Sequence, residues 1–152
     1  MSRSVVLLSC VVFCCLVLSG CSALNPFASK GPDTAEELLR AGEQAMEEES
    51  YGQAAEYYQR IKENHPFSSQ TQKAELGLAD AYFEQGKFSA AESAYRDFES
   101  LYPGDPKIPY VLYRIGRANL KQYTSIDLSQ RAVQEAEKTF TRLVQAYPDS
   151  EY

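Results

Sequence analysis

Three prolines close three stretches of helical pattern, at His65-Pro66, Tyr102-Pro103 and Tyr147-Pro148, and their spacing constrains this chain more than any other feature. Counting back 24 residues from Pro66 reaches Gly42, and the same step from Pro103 reaches Ala79. A further 37 residues lead to Gly116, so a small residue recurs at a fixed interval. Self-similarity at a period of this size marks an array of supersecondary units, none of which buries its apolar face alone. Each proline ends a helix, because it has no amide hydrogen for the ladder and keeps the preceding residue out of the helical region.

Aligned on these anchors, the chain resembles the tetratricopeptide repeat. The first unit supplies Ala41-Gly42, Ala45, Tyr51, Ala54, Tyr58, Ile61 and Pro66. The second supplies Leu78-Ala79, Tyr82, Gly86, Phe88, Ala91, Tyr95, Phe98 and Pro103, and the third Ile115-Gly116, Ala136, Phe140, Leu143 and Pro148. Small residues let paired helices approach closely while aromatic rings fill the space beside them. The expected fold is all-α, a solenoid of about three helical hairpins over 33–66, 67–103 and 104–152. The third unit has 32 residues between its small residue and its proline where the others have 24, which predicts an insertion near 123–131 between its helices. Asp33 or Thr34 is placed to cap the first helix, and Glu36 and Glu37 favour the positive end of its dipole.

The first twenty residues have the character of an address. Arg3 precedes Val5–Leu18, where Ser9 is the one conventionally polar residue, and this run is shorter than the ~20 residues a membrane-spanning helix requires. Residues 1–20 therefore read as a signal peptide. Leu18-Ser19-Gly20-Cys21 resembles the lipobox of bacterial lipoproteins, which implies acylation of Cys21; Ser22 in place of an acidic residue implies outer-membrane sorting. Residues 21–32, with Asn25, Pro26, Ser29, Gly31 and Pro32, read as a flexible tether. All four cysteines lie at or before position 21, so the body uses neither a disulfide nor a cysteine-bound metal.

From Cys21 onward the chain carries 14 basic and 21 acidic groups, a net of −7, which argues against a nucleic-acid partner. Its single histidine, His65, occupies the slot of Tyr102 and Tyr147 and has no partner at catalytic or ligand spacing. Gly86, Gly104 and Gly116 stand alone, which excludes a phosphate-binding loop, and Glu47-Glu48-Glu49 reads as a solvated helix end. No cofactor, metal or enzymatic activity is expected. Function should come from a groove lined by the first helix of each hairpin. The candidate contacts are Leu39, Glu43 and Met46, then Leu76, Asp80 and Phe83, then Tyr113, Arg117 and Leu120. Acid in the first two units (Glu36, Glu43, Glu47, Asp80, Glu84) and base in the third (Arg117, Lys121) would polarise that groove from end to end.

The lipobox, the tether and the segments His65-Pro66-Phe67, Ala81-Tyr82-Phe83, Phe98-Glu99-Ser100-Leu101-Tyr102-Pro103 and Tyr110-Val111-Leu112-Tyr113-Arg114-Ile115-Gly116 together resemble the BamD (YfiO/ComL) family. The resemblance implies a periplasm-facing lipoprotein of the machinery that assembles outer-membrane β-barrels. It would be held to the outer membrane through Cys21, docked on the barrel subunit and on other lipoproteins, and would receive unfolded barrel precursors. About five repeats are usual in that family, so the chain is expected to be an N-terminal portion. The same anchor and repeats would also suit a pilotin for a secretin or pilus, or a periplasmic adaptor for a cell-wall enzyme.

Overall fold

A computed structural model describes residues 31–122 and 129–152. The chain divides into two units, Met1–Gly31 and Pro32–Tyr152, and the helical body is the second of them. The expected signal peptide, Cys21 and all but the last two residues of the tether lie outside the described residues.

Among the described residues the regular structure is entirely helical, in six helices: α1 Ala35–Glu47, α2 Tyr51–Asn64, α3 Thr71–Glu84, α4 Phe88–Leu101, α5 Ile108–Lys121 and α6 Ser129–Ala146. Each packs against the next, and α1 also touches α3, the arrangement of a stacked hairpin array. No helix of the described residues is long and apolar enough to cross a membrane.

The repeat is visible bond by bond. His65, Tyr102 and Tyr147 each donate their amide to the carbonyl four residues back, at 2.9 Å, and each accepts the amide three residues on in the turn behind the proline. Thr34 caps α1 through a reciprocal pair, its Oγ1 accepting from the Glu37 amide while Glu37 accepts from the Thr34 amide.

The turns inside the first two hairpins are also alike. Glu49 and Gly86 donate to Met46 and Phe83, and Ser50 and Lys87 to Ala45 and Tyr82. This geometry needs a left-handed residue, at φ 75° for Gly86 and φ 57° for Glu49. Glycine adopts it freely and glutamate at a cost.

The small residues act differently from the simple expectation of helix meeting helix. A Cβ built on Gly42 would lie 2.5 Å from the Tyr58 ring, and one on Gly77 would lie 2.7 Å from it. Tyr58 of α2, only 3% exposed, is thus sandwiched between the bare backbones of α1 and α3. In the third hairpin the Phe140 ring rests on Gly116 in the same way, with a Cβ position 2.5 Å from the ring. The buried residues form two clusters, one around Leu38, Ala54, Tyr58 and Ile61, the other around Tyr95, Phe98, Val111, Leu112 and Ile115.

One boundary needs correction. Ser129–Arg131, expected in the inserted loop, are the first residues of α6, which has 18 residues where α2 and α4 have 14. Half of the eight extra residues therefore lengthen the helix. The stretch lacks Gly and Pro, and nothing in it stops the ladder. Residues 123–128 lie outside the described residues.

Gly42→Ala should lower stability by about 1–2 kcal/mol in urea unfolding, because the helix-propensity gain is outweighed by overpacking a ring with glycine on both faces. Gly116→Ala should cost less than Gly42→Ala, since Phe140 is only half-buried and meets glycine on one face. Glu49→Gly should raise the melting temperature by about 2–4 °C, as relief of the left-handed position is a fraction of a kcal/mol.

Candidate functional site

The second and third hairpins meet at a cleft of about 390 Å³ lined by Leu76 and Asp80 of α3, Tyr110 of α5, Pro106 and Lys107 before it, and Glu151 and Tyr152. α3 and α5 are the first helices of their hairpins, so this is the face on which the repeat predicts a groove.

Asp80 is the cleft's polar centre. Its Oδ1 accepts the phenol hydrogens of Tyr95 at 2.5 Å and Tyr110 at 2.6 Å. Arg114 donates its Nε to the Tyr95 hydroxyl at 2.8 Å and reaches Glu84 at 2.7 Å and Asp80 at 3.8 Å. Its guanidinium also lies over the Phe83 ring, 3.8 Å from the centroid. One arginine thereby ties α3, α4 and α5 together. Burial pushes the Asp80 carboxyl above the ordinary carboxylate value, an effect opposed by the two phenols and Arg114. Burial, and next the Asp80 charge, push the Tyr95 and Tyr110 phenols well above 10.0, so both remain protonated donors at neutral pH.

The cleft holds part of the chain itself. The Tyr152 ring lies 5.5 Å from both the Tyr110 and Tyr113 rings, so a short non-helical segment occupies the aromatic wall.

Of the nine candidate contacts, Leu76 and Asp80 line the cleft, and Tyr113 borders it through Tyr152. Arg117 is half-buried, its guanidinium near the Phe83 and Tyr113 rings. Leu120 and Glu43 are exposed and Met46 is half-buried, but none of the three lines the cleft. Leu39, Leu76 and Phe83 are 7%, 5% and 6% exposed and belong to the two cores, Leu76 also reaching the edge of the cleft. Arg114 pairs with Asp80 and Glu84, so the acid of the second unit is neutralised locally, which counting charges along single helices does not reveal. Lys107, Tyr110 and Arg114 were not among the candidates, although Tyr110 and Arg114 stand four apart on one helix face and could have been read as a pair. Among the described residues no group of three or more His, Cys, Asp or Glu side chains could hold a metal ion.

The architecture is that of a helical-hairpin repeat protein with a cleft of about 390 Å³ on its first-helix face. Residues 32–152 match the family described as "YfiO: Outer membrane lipoprotein", and the chain belongs to that family. Curated relatives named outer membrane protein assembly factor BamD are similar to it. That of Caulobacter vibrioides is 25% identical over 115 residues, 76% of this chain and 38% of the relative. That of Neisseria meningitidis serogroup B is 29% identical over 127 residues, 77% of this chain and 48% of the relative. The Pasteurella multocida protein is 26% identical over 127 residues, 77% of this chain and 49% of the relative. The chain spans less than half the length of these relatives.

Asp80→Ala should cost about 3 kcal/mol, since it leaves two partly buried phenols without their acceptor and Arg114 with one carboxylate fewer. Asp80→Asn keeps an acceptor oxygen and should cost about 1 kcal/mol, a ranking that urea unfolding of the two variants would check.

Proposed function

We propose that this chain is a lipid-anchored scaffold of the machinery that assembles outer-membrane β-barrels. In this reading an acylated Cys21 holds it on the periplasmic face of the outer membrane, and it works through protein contacts, with no cofactor and no covalent chemistry. The lipobox and family membership support the location, and the relatives' name supports the process.

The observation that carries the client-binding part is the cleft occupied by Glu151 and Tyr152. Its walls combine apolar Leu76, the Tyr110 and Tyr113 rings, and the polar Asp80 and Lys107. Such a surface suits an extended segment with an aromatic side chain, as an unfolded β-barrel precursor would present. Leu76, Asp80, Lys107, Tyr110 and Tyr113 are the contacts assigned to precursors. Glu43, Met46, Arg117 and Leu120 remain available to the barrel subunit or to another lipoprotein of the complex.

Affinity purification from detergent-solubilised envelopes should recover the barrel-assembly subunit. Recovery of a secretin, a pilus component or a cell-wall enzyme in its place would overturn the proposal in favour of a pilotin or adaptor. A photocrosslinker at Lys107 should capture precursor segments more efficiently than one at exposed Glu137 on α6. Equal capture at both positions would remove the cleft from the mechanism.

A further inference from the structure

Phe67 is 99% exposed, the most exposed large apolar side chain among the described residues. Its turn is firmly built. The Ser68 amide and the Thr71 hydroxyl both donate to the His65 carbonyl, at 2.9 and 2.8 Å. The Thr71 amide donates to the Ser68 carbonyl and the Gln70 amide to the Ser68 hydroxyl. A loop so braced holds its phenylalanine outward, with exposed Pro66 on one side and polar Ser68, Ser69 and Gln70 on the other.

The same turn receives the start of the body. His65 Nε2 donates to the Asp33 carbonyl at 2.8 Å, and Arg60 donates to the Pro32 carbonyl at 2.8 Å. The backbone entering from Cys21 is therefore clamped two residues from Phe67. Eleven peptide units separate Cys21 from Pro32 and span at most about 40 Å.

We infer that Phe67 is a membrane-interface anchor, inserting into the phospholipid surface to which Cys21 is attached. The inference rests on the acylation of Cys21 in the preceding reading. One lipid attachment limits distance and leaves orientation open, and a second contact point beside the clamp fixes which end of the hairpin array faces the bilayer. A solitary aromatic ring on a polar turn suits an interface where its neighbours stay among headgroups. A protein hot spot, by contrast, needs a surrounding ring of contacts that excludes water. The contact is apolar in origin: Lys62 and Lys73 at this end are outnumbered by Asp33, Glu36, Glu37 and Glu63, which gives no attraction to anionic headgroups, so zwitterionic lipid is the surface expected.

The chain has no tryptophan, so Phe67→Trp is a unique reporter, and Lys87→Trp, on an exposed turn at the other end of the hairpins, is its control. The acylated chain is reconstituted in phosphatidylcholine vesicles carrying a lipid-borne quencher. The Phe67→Trp emission should move to shorter wavelength and be quenched about twofold or more beyond the control, as interfacial tryptophans are. Equal quenching of the two in a chain that floats with the vesicles overturns the anchor while sparing acylation. An unmodified Cys21 by mass, with no flotation, overturns the acylation and this inference with it. A spectral shift that needs an added protein overturns it in favour of a protein contact. Unchanged melting of Phe67→Trp is expected, because the side chain touches nothing that the fold depends on.

Discussion

In the first and third hairpins a ring from the second helix rests on helix backbone left bare by glycine, Tyr58 between Gly42 and Gly77 and Phe140 on Gly116. The seating sets how closely the helices approach, and it aligns the first hairpin with the next because Tyr58 is gripped from both sides. Most of the remaining core follows from that spacing. Leu38, Ala54 and Ile61 close around the first ring, and Val111, Leu112 and Ile115 form the shared wall of the later hairpins. A stack of this kind transmits little through long-range contacts, since each helix touches chiefly its neighbours in the chain.

Where the second and third hairpins join, the coupling is polar as well. Arg114 engages Tyr95, Glu84 and Asp80 and covers Phe83, so helices from two hairpins share a single guanidinium. A buried ionic group of this kind contributes less to stability than to specificity of arrangement, because desolvation offsets much of its attraction. It holds Asp80 and Tyr110 in place at the cleft while leaving the tyrosine wall open to an extended segment. The precursor-binding proposal draws on that combination of a rigid polar centre and an adaptable apolar rim.

The turns show the same division between what repeats and what is particular. All three proline turns use one hydrogen-bond pattern, yet the residues decorating them differ. His65 bonds the incoming backbone at Asp33, while Tyr102 stacks beside Phe98, 5.0 Å away, against the core. An identical scaffold position thus serves the body's entry point in one unit and packing in another, and Phe67 is unburied because its turn closes the first hairpin on the side where the chain arrives.

Read alone, the residues determined the helical class, the number of hairpins and the positions of their ends, because prolines, small residues and aromatic spacing act through local backbone sterics and a fixed period. Which face of each first helix is open was not legible at that level. Leu39, Leu76 and Phe83 all lie on first helices, yet all three are buried in the cores, and Leu76 alone of them also reaches the cleft. Arg114 likewise pairs with Glu84, 30 positions earlier, which no spacing along its own helix encodes. Burial and charge pairing are decided by helices that meet across the stack, and neither periodicity nor local propensity carries that information.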